Sequence, residues 1–191
     1  MNYILLSKEM SCALRHEPQA YGLELDEFGA VDVNTFVEAL RKKEKWKEVT
    51  IEDVRHVILH AEKKRHVIED GKIRALYGHS IDGKVVKEKV PPPIYLYHGT
   101  SRDAARLIVT DGLKSMLRQY VHLGDIDNAW RVGLRKDPKP VIFRVDALRA
   151  FRDGIGFYHG NDKIWLSDNI PAVYISVECN LNAMENGNDT L

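Results

Sequence analysis

The chain has 191 residues, 44% of them hydrophobic and 29% charged, a balance that fits a soluble globular protein of one large or two small domains. Its 28 basic and 28 acidic side chains cancel, and they do so in both halves, with 16 of each up to Val90, so attraction to polyanions through excess charge is excluded and any phosphate site has to be a local cluster. Cys12 and Cys179 give neither metal-ligand spacing nor a disulfide framework, no apolar run reaches the length of a membrane span, and the N-terminus shows no signal-peptide pattern; a cytoplasmic monomer with no metal and no membrane partner is expected.

Leu5, Met10, Ala13 and Leu14 share one face of a first helix, which ends near Arg15-His16. Gly29 to Val33 reads as a short strand feeding a helix from Asn34 to Lys43, with Phe36, Val37 and Leu40 inward. Thr50, with Asp53 three residues on, is an N-cap for a helix carrying Val54, Val57, Ile58 and Ala61. The period then changes: Arg65 to Glu69 and Lys72 to Leu76 flank Asp70-Gly71, a favoured two-residue hairpin turn. Charged residues from Asp82 to Lys89, followed by Pro91-Pro92-Pro93, read as a linker between lobes 1–90 and 91–191. In the second lobe, strands are expected at Ile94–His98, Tyr120–Leu123, Val141–Val145, Ile164–Leu166 and Val173–Val177. Helices are expected at Arg102–Thr110, with Gly112 at its C-terminal end, and at Asp125–Leu134. The class is α+β, helices with a terminal hairpin in the first lobe and a β-rich second lobe.

No P-loop, dinucleotide glycine fingerprint, nucleophile elbow or His-Glu-x-x-His is present. What remains is a set of cations and histidines at element ends. Arg15-His16 closes the first helix, where cations also simply complement the helix dipole. Lys63-Lys64-Arg65-His66 lies between helix and hairpin, as a phosphate grip or a solvated turn. Gly78-His79-Ser80 can offer backbone N–H and hydroxyl groups to a phosphate or ribose, or be a plain turn. Tyr97-His98-Gly99-Thr100 closes a strand, where glycine would admit a ligand close to the backbone. Arg118 precedes a strand on which Tyr120 and His122 share a face. No carboxylate base accompanies these groups, which suits chemistry in which an anionic phosphate is itself the nucleophile.

In order and spacing, these residues resemble the RNA 2′-phosphotransferase family across nearly the whole chain. The motifs are Leu14-Arg15-His16-x-Pro18, Gly22-Leu23-x-Leu25-Asp26, Lys63-x-Arg65, Gly78-His79-Ser80, Tyr97-His98-Gly99-Thr100, Arg118-Gln119-x-Val121-His122-Leu123 and Trp165-Leu166. The resemblance implies an N-terminal winged-helix lobe and a C-terminal ADP-ribosyltransferase-like lobe. It also implies NAD, consumed as co-substrate, and an RNA bearing an internal 2′-phosphate, tRNA first among candidates. The phosphate would attack C1″ of the NAD ribose and expel nicotinamide. The ribose 2″-hydroxyl would then attack the phosphate, leaving 2′-OH RNA and ADP-ribose 1″,2″-cyclic phosphate. Carried over by position, Arg15, His16, Arg65 and Arg118 would be catalytic, and Lys63, His79 and Ser80 would support the phosphate. His98, Gly99, Thr100, His122 and Ile164 would line the NAD site, and Phe157 or Tyr158 would either stack on nicotinamide or adenine or belong to the core. Leu76-Tyr77 and Gly124 depart from the family's usual Asn-Gln and Ser at those positions.

Two other classes compete. An NAD-dependent ADP-ribosyltransferase acting on nucleic acid ends or protein would share the NAD site but release no cyclic phosphate. A non-catalytic winged-helix nucleic-acid binder would need a basic recognition helix, whereas the Thr50–Ala61 segment has Arg55 as its only fixed cation beside Glu52 and Asp53.

Overall fold

Helix α1 (Tyr3–Arg15) starts at Asn2, whose side chain accepts a hydrogen bond from the Leu5 N–H at 3.1 Å. In this computed structural model, which describes residues 1–178, Leu6, Met10, Ala13 and Leu14 form its buried stripe. Met10, Ala13 and Leu14 thus lie on the expected face, with Leu6 completing it in the core and Leu5 half-buried at its margin. Cys179 lies outside the described residues.

Strand β1 (Ala30–Asp32) runs into α2 (Val33–Arg41), capped by Asp32 accepting from the Thr35 N–H at 2.9 Å. Helix α3 (Ile51–His60) begins with the anticipated reciprocal cap: the Thr50 side chain takes the Asp53 N–H while the Asp53 carboxylate takes the Thr50 N–H. Strands β2 (His66–Glu69) and β3 (Lys72–Ala75) form the hairpin, with Asp70 (φ 49°) and Gly71 (φ 76°) both in the left-handed region that its tight turn requires. The three strands pair antiparallel in the order β1-β3-β2, and Leu6, Met10, Leu14, Phe36, Leu40 and Ile73 fill the core beneath. Each such side chain contributes ~1.5–3 kcal/mol by leaving water. These elements form a first compact unit, Met1–Glu88 together with Met116–Gln119.

The second unit comprises Lys89–Ser115 and the chain from Tyr120 onward. Its strands are β4 (Tyr95–Thr100), β5 (Val121–Gly124), β6 (Val141–Asp146), β7 (Phe157–Asn161), β8 (Ile164–Ser167) and β9 (Ile175–Val177). They form one antiparallel sheet in the order β7-β8-β5-β4-β6-β9. Helices α4 (Arg102–Asp111), α5 (Ile126–Leu134) and α6 (Ala147–Arg152) connect them, and Gly112 ends α4 with φ 80°. Strand β7 and helix α6 were not among the expected elements, and Val173–Val177 is a 3-10 turn followed by the short β9. Two antiparallel sheets with segregated helices make the protein α+β.

Gly99 has a packing reason. A Cβ there would lie 1.8 Å from the Ala129 carbonyl oxygen, so the backbone of α5 rests directly on β4. The close approach read from the sequence as room for a ligand is taken by a helix.

Candidate functional site

Arg15, the last residue of α1, is only 7% exposed. Its Nη2 donates to the Arg65 carbonyl at 3.2 Å, and its guanidinium carbon lies 4.9 Å from the centroid of the Tyr77 ring. Its own carbonyl accepts from the Ser80 N–H at 2.9 Å, which ties the loop to the helix end. His16 caps α1 and places Nδ1 2.8 Å from the Ser80 hydroxyl oxygen.

Gly78 is the pivot of the loop. Its φ of 87° suits glycine, and its carbonyl accepts a hydrogen bond from Arg118. A Cβ on Gly78 would sit 3.2 Å from Arg118 Nη1 and 3.3 Å from Arg15 Nη1, so both guanidinium groups converge on this residue. Gln119 holds the distant segment in place: its backbone N–H reaches the His79 carbonyl, its Nε2 donates to the Ile81 and Gly83 carbonyls at 3.0 and 2.6 Å, and its Oε1 accepts from the Val85 N–H at 3.0 Å. Sequence reasoning singled out Arg118 but gave Gln119 no role, although it is the next residue of the same motif. Arg15, His16, Arg65 and Arg118 thus all belong to the first unit, because Met116–Gln119 joins it.

The electrostatics are those of concentrated, uncompensated positive charge. Among the described residues no salt bridge reaches Arg15, Arg65 or Arg118. Arg15 Nε is buried without a hydrogen-bond partner among the described residues. Burial, with the Arg65 and Arg118 charges adding and Tyr77 opposing, pushes the Arg15 guanidinium down to about 10. Burial and the charges of Arg118 and Arg15 hold the His16 imidazole below its ordinary range. Like charges held together with carbonyl and aromatic partners alone are stabilised by an incoming anion, which relieves both the repulsion and the lost hydration.

The supporting residues divide. Lys63 lines a groove with Arg15, His16 and Arg65. Ser80 touches His16. His79 is 2% exposed and pushed down to about 3 by burial and then by the Lys87, Arg15, His16 and Arg118 charges. It is therefore neutral at pH 7, and its backbone carbonyl anchors Gln119. His66, against Ser11 Oγ at 3.3 Å, is pushed down to about 3 by burial, Arg15 and Arg65.

In the second unit, His98 on β4 and His122 on β5 share one hydrogen-bonding pattern. His98 Nδ1 donates to the His122 carbonyl at 2.9 Å, and His122 Nδ1 donates to the Tyr120 carbonyl at 3.1 Å. A carbonyl only accepts, so each Nδ1 carries a proton. Burial pushes His98 down to about 4, against the His122 carbonyl and with help from Lys136, which keeps it neutral. Thr100 is buried beside Gly99, and Ile164 on β8 pairs with Gly124. Lys136, which the sequence did not mark, donates to the Gly99 carbonyl at 3.2 Å. Phe157 is core, and Tyr158 is buried with its hydroxyl on Asp168 at 3.1 Å and its ring edge-on to Tyr120. Among the described residues no group of three or more His, Cys, Asp or Glu side chains is arranged to hold a metal ion, and no helix is long and apolar enough to cross a membrane.

Residues 2–169 match the profile of the RNA 2′-phosphotransferase, Tpt1 / KptA family. The chain is 51% identical over 179 residues to a protein of Acetivibrio thermocellus named "Probable RNA 2'-phosphotransferase", covering 93% of this chain and 98% of that one. A protein of the same name from Bacillus thuringiensis subsp. konkukian is 50% identical over 179 residues, covering 93% and 97%. A more distant relative from Archaeoglobus fulgidus is 34% identical over 171 residues, covering 89% of this chain and 78% of its own length.

Proposed function

The chain belongs to the RNA 2′-phosphotransferase family, and from that premise we propose that it removes an internal 2′-phosphate from RNA in an NAD-dependent reaction, tRNA being the first candidate substrate. The observation that carries this reading is the group formed by Arg15, Arg65 and Arg118: carbonyls and an aromatic ring partner Arg15 and Arg118, and among the described residues no salt bridge reaches any of the three.

Arg65 and Arg118 bind the 2′-phosphate through their planar forks, which match phosphate oxygens two at a time. Buried Arg15 adds charge from beneath and fixes the loop through Tyr77 and Ser80. Burial and then the Arg118 and Arg15 charges lower the His16 pKa, and a phosphate dianion beside the ring acts in the opposite direction, favouring the protonated imidazole as a further donor to the phosphate. No general base is needed to activate a group that is already an anion, which agrees with a site built from cations. Lys63 and Ser80 support the phosphate from the same unit, while His79 acts as the loop's internal anchor.

The second unit suits a ribose. NAD, when bound, supplies an electrophilic ribose carbon and nicotinamide as the leaving group. The neutral His98 ring, with Nδ1 donating to the His122 carbonyl, presents Nε2 as a hydrogen-bond acceptor for a ribose hydroxyl, and the Nδ1 hydrogen bond of His122 fixes the orientation of that ring. Thr100 and Ile164 complete the proposed NAD site. Gly99 serves it by letting α5 seat against β4, so that His98 keeps its place.

Incubation with NAD and an RNA carrying one internal 2′-phosphate tests this directly. The expected products are nicotinamide, RNA with a free 2′-hydroxyl, and ADP-ribose 1″,2″-cyclic phosphate. A stable ADP-ribosylated RNA as the end product would assign plain ADP-ribosyl transfer instead, and loss of phosphate without nicotinamide release would remove NAD from the reaction.

A further inference from the structure

Tyr3, His56 and His60 form a ladder of rings on the flank of α1 and α3. Tyr3 and His56 stack with centroids 4.0 Å apart and planes at 29°, and His56 and His60 follow at 4.1 Å and 24°. Two hydrogen bonds hold the ladder: the Tyr3 hydroxyl donates to Asp53 Oδ1 at 3.1 Å, and His60 Nδ1 donates to the His56 carbonyl at 3.0 Å. None of the three rings belongs to the hydrophobic core of this unit, and Tyr3 and His60, at the two ends, are exposed. Rings that bury no core surface yet are fixed in orientation are placed for a partner rather than for folding.

The ladder lines a groove of about 680 Å³ that continues to Arg15, His16 and Arg65. Lys8 and Lys63 also line it, with Glu62 the one acid among its lining residues. Helix α1, with 13 residues, is ~20 Å long at ~1.5 Å per residue, and the groove follows it from Tyr3 to Arg15, a reach greater than one phosphorylated nucleotide needs. Planar stacking surfaces and cations lining one groove are how single-stranded nucleic acid is held without reading its sequence.

We infer that this groove is a binding track for the single-stranded RNA on one side of the 2′-phosphorylated nucleotide, with an unpaired base stacking on an end of the Tyr3–His56–His60 ladder and the phosphodiester chain passing Lys8 and Lys63. The inference rests on the functional reading above, because it takes the phosphate to lie at Arg15, Arg65 and Arg118. An acidic peptide would engage the lysines but has no use for stacked rings.

Fluorescence anisotropy with a short labelled single-stranded RNA carrying an internal 2′-phosphate tests the track. His60→Ala and Tyr3→Ala are expected to weaken binding about tenfold, Tyr3→Phe, which keeps the ring but not its hydrogen bond to Asp53, to weaken it less, and Lys8→Ala to lower the slope of log affinity against log salt by about 0.7. The same RNA trimmed to the phosphorylated nucleotide is expected to bind the wild-type protein and the ring variants equally. Unchanged affinity for the longer RNA in both alanine variants overturns the inference, as does an equal loss on the trimmed one, or an acidic peptide that binds as tightly as the RNA and is weakened alike. If Tyr3→Ala also melts early, His60→Ala decides. Nicotinamide release by the wild-type protein separates the two readings: turnover with no effect of the ring variants sinks the track alone, whereas ring-dependent RNA binding without turnover sinks the chemistry and leaves the track.

Discussion

Arg118 donates a hydrogen bond to the carbonyl of Gly78, 40 residues earlier in the chain. That contact brings a second guanidinium to a loop already gripped by Arg15 and explains why Met116–Gln119 belongs with the first unit although the residues on either side of it do not. It also makes the site depend on a residue with no side chain.

Arg65→Ala and Arg118→Ala are each expected to lower the rate of RNA dephosphorylation by roughly 10²–10³-fold, the cost of deleting one donor aimed at a reacting oxyanion. Arg118→Lys keeps the charge but not the fork and is expected to recover little. Initial rates of nicotinamide release, with thermal melts showing an intact fold, measure this. Wild-type rates in either alanine variant would remove that arginine from the site.

Gly78→Ala is expected to act on the same chemistry indirectly. The left-handed backbone costs ~1–2 kcal/mol with a Cβ present. The added methyl also meets Arg118 Nη1 and Arg15 Nη1 at 3.2 and 3.3 Å, so both guanidinium groups must shift by a few tenths of an ångström. About a tenfold fall in kcat follows from such misplacement. Urea denaturation and steady-state kinetics on the same preparation would show both effects; a change in stability without one in kcat would place Gly78 outside the positioning of the arginines.

Gly99→Ala is expected to be far more damaging to the fold. Its Cβ would collide with the Ala129 carbonyl oxygen at 1.8 Å and the Gly133 nitrogen at 3.0 Å, both backbone atoms of α5 that cannot rotate away. The helix must lift from the sheet, at a cost of roughly 3 kcal/mol or more. Soluble yield and melting temperature read this out; a variant with wild-type stability would show that α5 does not rest on β4 as described.

Acid is expected to destabilise the protein through buried neutral histidines. His66 and His79 are pushed down to about 3 and His98 to about 4 in the fold, each chiefly by burial, whereas all three return to about 6.5 on unfolding. The unfolded chain therefore binds more protons between those limits. The histidines' contribution is complete above pH 6.5 and is lost as pH falls toward 4 and then 3, each group contributing a slope on the order of 1 kcal/mol per pH unit. Denaturant midpoints between pH 7.5 and 4.5 measure the slope, and His79→Gln should flatten it. A pH-independent midpoint over that range would contradict the burial of these rings as neutral groups.

The elements legible in the chain are those whose signal lies within a few neighbouring residues. Thr50 and Asp53 announce α3 because a reciprocal cap is local chemistry, and Asp70-Gly71 announces the hairpin because only a few residue types adopt two successive left-handed conformations. Strand β7 was missed because Phe157-Tyr158-His159-Gly160-Asn161 has no clean alternation of apolar and polar residues, and α6 because six residues hardly display a helical period. Leu6 rather than Leu5 completes the stripe of α1 because it stands four, seven and eight residues before Met10, Ala13 and Leu14, the helical spacing, whereas Leu5 is rotated by about 100° to its margin.

At the site, residue type and order alone supply arginines and histidines at element ends, in the pattern of the family. What those groups become depends on the folded chain. Among the described residues it left Arg15, Arg65 and Arg118 without carboxylate partners, buried the His79 ring as a neutral group, seated α5 on Gly99, and set Gln119 to hold the segment that carries Arg118. The reason is physical: spacing and capping act over a few bonds, whereas desolvation, charge repulsion and steric contact depend on residues tens of positions away that only the folded chain brings together.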